Sequence, residues 1–132
     1  MLTEKDYCDY DTCVALKELG YIGQGRCYYD LDKDKKELRH FGIQVLTTRS
    51  AKALNFVLAV HLYDAHEWLR AEKDIIIDVF VDDDSDTPIT YNVYKNRECI
   101  IHHHGKYFTI KDWNVALNEG IKEAIKLLKE EK

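Results

Sequence analysis

The run His102-His103-His104 is the first place in this sequence where chemistry could sit. On a strand, successive side chains alternate faces, so His102 and His104 would share one face and His103 the other. Two imidazoles on one face can hold a transition metal if a third donor reaches across the sheet, and Asp78, His40 or Glu98 could supply it. The competing reading is a polar strand end ahead of a turn at Gly105, and it takes precedence. His102 and His104 therefore stand as metal candidates, and no cofactor is assigned.

The other reactive residue types do not form a signature. Cys8, Cys13, Cys27 and Cys99 contain no CxxC pair, and a structural zinc site would want tighter spacing. A Cys–His dyad could be drawn from any of the four, but no local motif selects a pairing. His66 falls on the apolar side of a helical stretch and reads as a half-buried, hydrogen-bonded histidine. The acidic run Asp82–Asp86 lacks the glycine and the final glutamate of a calcium loop, so it reads as a charged turn. Gly23-Gln24-Gly25 is too short to cradle a phosphate, and no nucleotide-binding or nucleophile-elbow pattern occurs. On these grounds the chain reads as non-enzymatic.

Aromatic residues are more suggestive. The chain carries 9 Tyr and 2 Trp, more than its core requires. Tyr28, Tyr29, Tyr91, Tyr94 and Tyr107 are expected in strands, and with Phe80 they are the candidates for an interface or a ligand face. Packing in the core and on the sheet is the first account of these rings. A protein partner or homodimer is the second, because Tyr is rigid, large and amphipathic. Base stacking comes last, since single-strand binders surround their rings with Arg and Lys and this sheet has few.

Composition sets the frame. The sequence of 132 residues suits one domain spanning 1–132. Apolar residues at 45%, with 1 Pro and 6 Gly, exclude a disordered or collagenous chain. The balance of 19 basic against 24 acidic residues gives −5, which argues against a general nucleic-acid or membrane-surface binder. No leader is expected at the N-terminus, and the longest apolar run, Leu54–Val60, is far short of the ~20 residues of a membrane span. A cytoplasmic location with reduced thiols follows as the expectation.

The elements that must position these residues can be read from periodicity. Asp9 caps a helix over 10–19 that Gly20 ends. Residues 26–31 and 38–43 form a hairpin around the charged tip 32–37. Residues 50–70 allow either one helix or a short strand at 55–60 followed by a helix from about His61. Residues 75–81 alternate as a strand with apolar residues on both faces, hence either central or facing a partner subunit. Strands at 89–94 and 99–103 follow, separated by a tight turn at 95–98. A helix over 110–130 closes the chain, with Thr109 and Asp112 forming its cap and Gly120 allowing close approach to the sheet. The fold expected is α+β: an antiparallel sheet, hairpin plus three-stranded meander, with about three helices on one face.

Three segments carry a resemblance. They are Asp9 to Tyr21, Leu62 to Arg70 and Trp113 to Ala124. In this order the chain resembles a set of uncharacterised small proteins from phages and mobile elements of gut Bacteroidetes. The family pattern has an LKEKGF-like helix end, a PTLxxAxKWLRE-like helix start and an ExALEAGIKxAL-like final helix. The resemblance implies a fold and a genomic context but no chemistry. It favours a helix starting near His61, although Val60-His61 stand where the family has Pro-Thr. Three functional readings follow: an accessory protein acting by protein–protein interaction, a small-molecule or nucleotide-binding domain, and a metal-dependent enzyme using the 102–104 histidines. The first leads.

Overall fold

The Asp9 carboxylate accepts the N–H of Thr12 at 2.9 Å and so caps helix α1 (Tyr10–Glu18). Gly20 follows at φ 102°, a left-handed conformation that glycine adopts without strain. The N–H groups of Gly20 and Tyr21 return to the carbonyls of Lys17 and Leu16 at 3.0 and 2.9 Å, which closes the helix as a Schellman motif. The structure, a computed structural model, describes residues 4–42, 45–82, 86–102 and 106–130. The chain divides into two compact units, Met1–His61 and Leu62–Lys132.

In the first unit, α1 is followed by β1 (Gln24–Gly25), β2 (Cys27–Asp30), β3 (Arg39–His40), β4 (Leu46–Thr47), α2 (Thr48–Ala53) and β5 (Phe56–Leu58). β2 and β3 form the expected hairpin, with Cys27 opposite His40 and Tyr28 opposite Arg39. β5 adds to the other edge of β2, antiparallel, giving the order β3-β2-β5, while β1 pairs with β4. At the hairpin tip the Lys36 ammonium donates to the carbonyls of Asp30, Leu31 and Lys33 at 3.3, 3.0 and 2.6 Å. That contact folds the charged tip back on itself.

Residues 50–60 resolve as the second of the two expected forms, with one addition. β5 is the short strand, but α2 precedes it and has no counterpart in the periodicity. Its six residues are too few to show a stripe. It forms because Thr47 and Ser50 cap it reciprocally: Thr47 Oγ1 accepts from Ser50 N at 3.0 Å and Ser50 Oγ from Thr47 N at 2.9 Å.

The second unit contains α3 (Leu62–Lys73), β6 (Ile75–Val81), β7 (Ile89–Lys95), β8 (Glu98–Ile101) and α4 (Trp113–Glu130). The three strands form an antiparallel meander, order β6-β7-β8. The turn between β7 and β8 places both Asn96 and Arg97 at positive φ, 52° and 69°, the twist a two-residue hairpin needs. α3 packs on β6, α4 packs on β6 and β7, and the two helices touch. α4 comes close because a Cβ on Gly120 would sit 2.5 Å from Ile77 Cγ2 and 3.3 Å from Tyr91 Cδ1. Ala116, Leu117, Ile121, Ala124 and Ile125 line the same buried stripe.

Two expectations need correction here. Of the two alternatives for β6, a central position and a second face that meets a partner subunit, the first does not hold: among the described residues β6 lies at the edge of its sheet and β7 holds the centre. Apolar residues on both faces arise in either position, so the pattern alone could not separate them. The Thr109 hydroxyl donates to Asp112 Oδ2 at 2.9 Å instead of receiving a helix N–H. The chain enters α4 through a 3-10 turn, Ile110–Asp112, whose backbone bond from Asp112 N to Thr109 O replaces the side-chain cap. The architecture is α+β with antiparallel pairing throughout, and no described helix is long and apolar enough to cross a membrane.

Candidate functional site

Strand alternation sorts the meander into two faces. Ile77, Val93 and Ile101 lie side by side on the face that meets α4, as do Val79 and Tyr91. On the opposite face Ile76, Tyr94 and Cys99 form one row, Asp78 and Asn92 a second, and Phe80 and Thr90 a third. A register shift between Val93 and Tyr94 leaves Ile100 as the extra residue of a bulge. Ile76 is 43% exposed and Ile100 39%, while Tyr94 and Phe80 are half-buried. Thr90 is fully buried and its hydroxyl donates to the Lys106 carbonyl at 2.8 Å, so the open part of this face is the Ile76–Tyr94–Cys99 row with the polar Asp78–Asn92 row beside it.

The candidate tyrosines therefore separate. Tyr91 is fully buried, held against Phe108 with ring centroids 6.4 Å apart, and its phenol is raised by burial and by the nearby Glu123 carboxylate. Tyr29 is also buried, and its hydroxyl donates to the Cys8 carbonyl at 2.8 Å. Burial, with Cys13 and Asp9 nearby, raises that phenol too. These two rings are core. Alternation carried the signal: Tyr91 falls in phase with Ile89 and Val93, and Tyr29 with Cys27. Tyr107 was expected in a strand but lies outside one, with its hydroxyl donating to Asp82 Oδ2 at 3.1 Å. It sits in the returning segment that bridges β7, where Phe108 and Ile89 exchange backbone bonds at 2.8 and 3.0 Å. Tyr94 and Phe80 belong to the outer face described above.

Tyr28 belongs to a second aromatic group, in the first unit. Its ring stacks on Phe56 at 4.0 Å and meets Phe41 edge-on at 6.1 Å. All three rings are half-buried. They cover the outer face of the β3-β2-β5 sheet, opposite the side on which Cys27 and Tyr29 are buried. Composition alone could not have joined Phe41 and Phe56 to Tyr28, because the register that unites them depends on β5.

The thiols divide by environment. Cys8 and Cys13 are buried together: Cys13 Sγ donates to Cys8 O at 3.5 Å and accepts the Val60 N–H at 3.3 Å. Hydrogen bonding with Cys13, then burial, raises the Cys8 thiol well above its ordinary value, which keeps it protonated. Cys27 is buried beside the Tyr7 hydroxyl, 3.6 Å away. Cys99 is half-exposed, and its sulfur lies 3.6 Å from His102 Nδ1.

The expected metal donors do not assemble among the described residues, where no three His, Cys, Asp or Glu side chains gather to hold an ion. His104 lies outside the described residues, as does most of the acidic turn, and His40 belongs to the first unit. Glu98 faces Lys95 across the hairpin, and Asp78 faces Asn92. His66 accepts the Ile77 N–H at Nε2, 2.9 Å, and burial together with Arg70 lowers its imidazole below the ordinary value. A cleft of about 200 Å³ lies between α4 and the end of β8, lined by Ile101, Glu123, Lys126, Leu127 and Glu130. Sites that enclose a small molecule run to roughly 300–1,000 Å³. No family model, curated protein or solved structure matches this chain.

Proposed function

We propose that this chain is a non-enzymatic accessory protein that acts by binding another protein, a partner or a second copy, through the outer face of the β6-β7-β8 sheet. The observation that carries the reading is the row Ile76, Tyr94 and Cys99, flanked by Ile100 and backed by Phe80. Side chains held on a paired sheet lose little freedom on docking, and aromatic anchors contribute most to interface energy. The polar row Asp78–Asn92 would fix the orientation of whatever docks. A role in a phage or mobile element, in the cytoplasm, rests on the resemblance of the three helical segments and on four free thiols.

The test compares the wild type with Ile76→Asp by light scattering after size exclusion and by affinity capture from host lysate. The reading expects a dimer, or a specific captured protein, that the substitution removes while the circular dichroism spectrum stays unchanged. A wild-type monomer that captures nothing would refute it.

A further inference from the structure

We infer that Cys99 and His102 form a thiol–imidazole pair that accepts a small thiol by exchange with a low-molecular-weight disulfide. Cys99 also lies in the outer row of the docking reading, so the exchange concerns that face when no partner covers it, and its test on the isolated chain does not need docking to occur. Cys99 Sγ lies 3.6 Å from His102 Nδ1 and 3.6 Å from the Ile101 carbonyl, so the thiol proton has two acceptors and one of them is a base. Access separates this thiol from the rest: Cys8 and Cys13 are sealed in the first unit, Cys27 is nearly so, and Cys99 is half-exposed with an exposed histidine beside it. The pair closes locally because the β8 bulge at Ile100 re-aims the strand just before it ends, bringing residues three apart to the same side. Of the charged residues near by, Lys95 faces Glu98 across the hairpin and Arg97 occupies the turn, two cations against one anion.

The step balances without a further reagent. His102 Nδ1 takes the proton from the thiol, and the Cys99 sulfur attacks one sulfur of the disulfide. A Cys99–S–S–R bond forms as the R–S–S–R bond breaks, and the leaving thiolate takes the proton back from His102. The Cys99 sulfur is oxidised and the leaving sulfur is reduced.

The test uses the folded full-length chain and two probes, oxidised glutathione read by intact mass and an aromatic disulfide read by its released thiolate. One adduct per chain is expected, mapping to Cys99 and absent from Cys99→Ser. A free thiol is only a few per cent ionised at neutral pH, so removing the base by His102→Asn should slow exchange about tenfold there. The difference should vanish at alkaline pH, where any thiol ionises unaided. An adduct at another cysteine, or equal rates with and without His102 at neutral pH, would overturn the inference.

Discussion

The imidazole of His66 accepts the backbone N–H of Ile77 at 2.9 Å, on the edge of β6 that pairs with no strand among the described residues. Only the neutral ring can accept at Nε2, so the bond fixes the proton on Nδ1. Burial and Arg70 depress the folded imidazole below its ordinary value. The unfolded chain then binds the proton more tightly than the folded one. The stabilisation is complete above about pH 6.5 and is lost as pH falls through the lower folded value. Denaturation of the wild type and of His66→Gln should therefore diverge above that pH and converge in acid. Parallel curves across the range would contradict the assignment.

Gly120 lies where α4 passes closest to the sheet. Alanine there gains about 1 kcal/mol of helix propensity but must displace Ile77 Cγ2, and overpacking of a core typically costs roughly 1–3 kcal/mol. Gly120→Ala is expected to lower stability in urea. Ile77→Ala makes room at that contact, so the double variant should lose less than the two single losses added together. Strict additivity would mean that the two residues do not share this space.

Arg97 occupies the second position of the β7–β8 turn at φ 69°. A left-handed residue other than glycine costs about 1–2 kcal/mol. Arg97→Gly creates an Asn-Gly turn and should raise the thermal midpoint without altering the fold. An unchanged or lower midpoint would count against the turn geometry.

The Asp9 carboxylate holds the first turn of α1 through Thr12. Asp9→Ala should cost about 1 kcal/mol and Asp9→Ser much less. If alanine and serine destabilise equally, the side-chain cap is not the source of the loss.

What could be read from the sequence follows from how far each signal extends. α4 repeats its apolar positions over five turns and β6 alternates over seven residues, so both were visible with their buried faces. Asp9 and Gly20 marked the ends of α1 because capping is chemistry local to a few residues. α2 was invisible for the opposite reason: it is a single capped turn and a half with Ala51 its one buried side chain. The edge position of β6 and the gathering of Phe41, Phe56 and Tyr28 depend on strand order and register, which no single segment encodes. The candidate face was partly legible, since alternation already separated Tyr94 from Tyr91. The Cys99–His102 pair was not, because the bulge that closes it comes from the pairing with β7.

Cross-linking from position 94 tests the docking face most directly. A photoreactive phenylalanine in place of Tyr94 keeps an aromatic ring in the outer row, and the same group in place of Lys126 samples the helical side as a control. The account predicts a discrete covalent product from position 94 in cells, absent from position 126 and lost when Ile76→Asp is added. No product from position 94, or the same product from both positions, would contradict it.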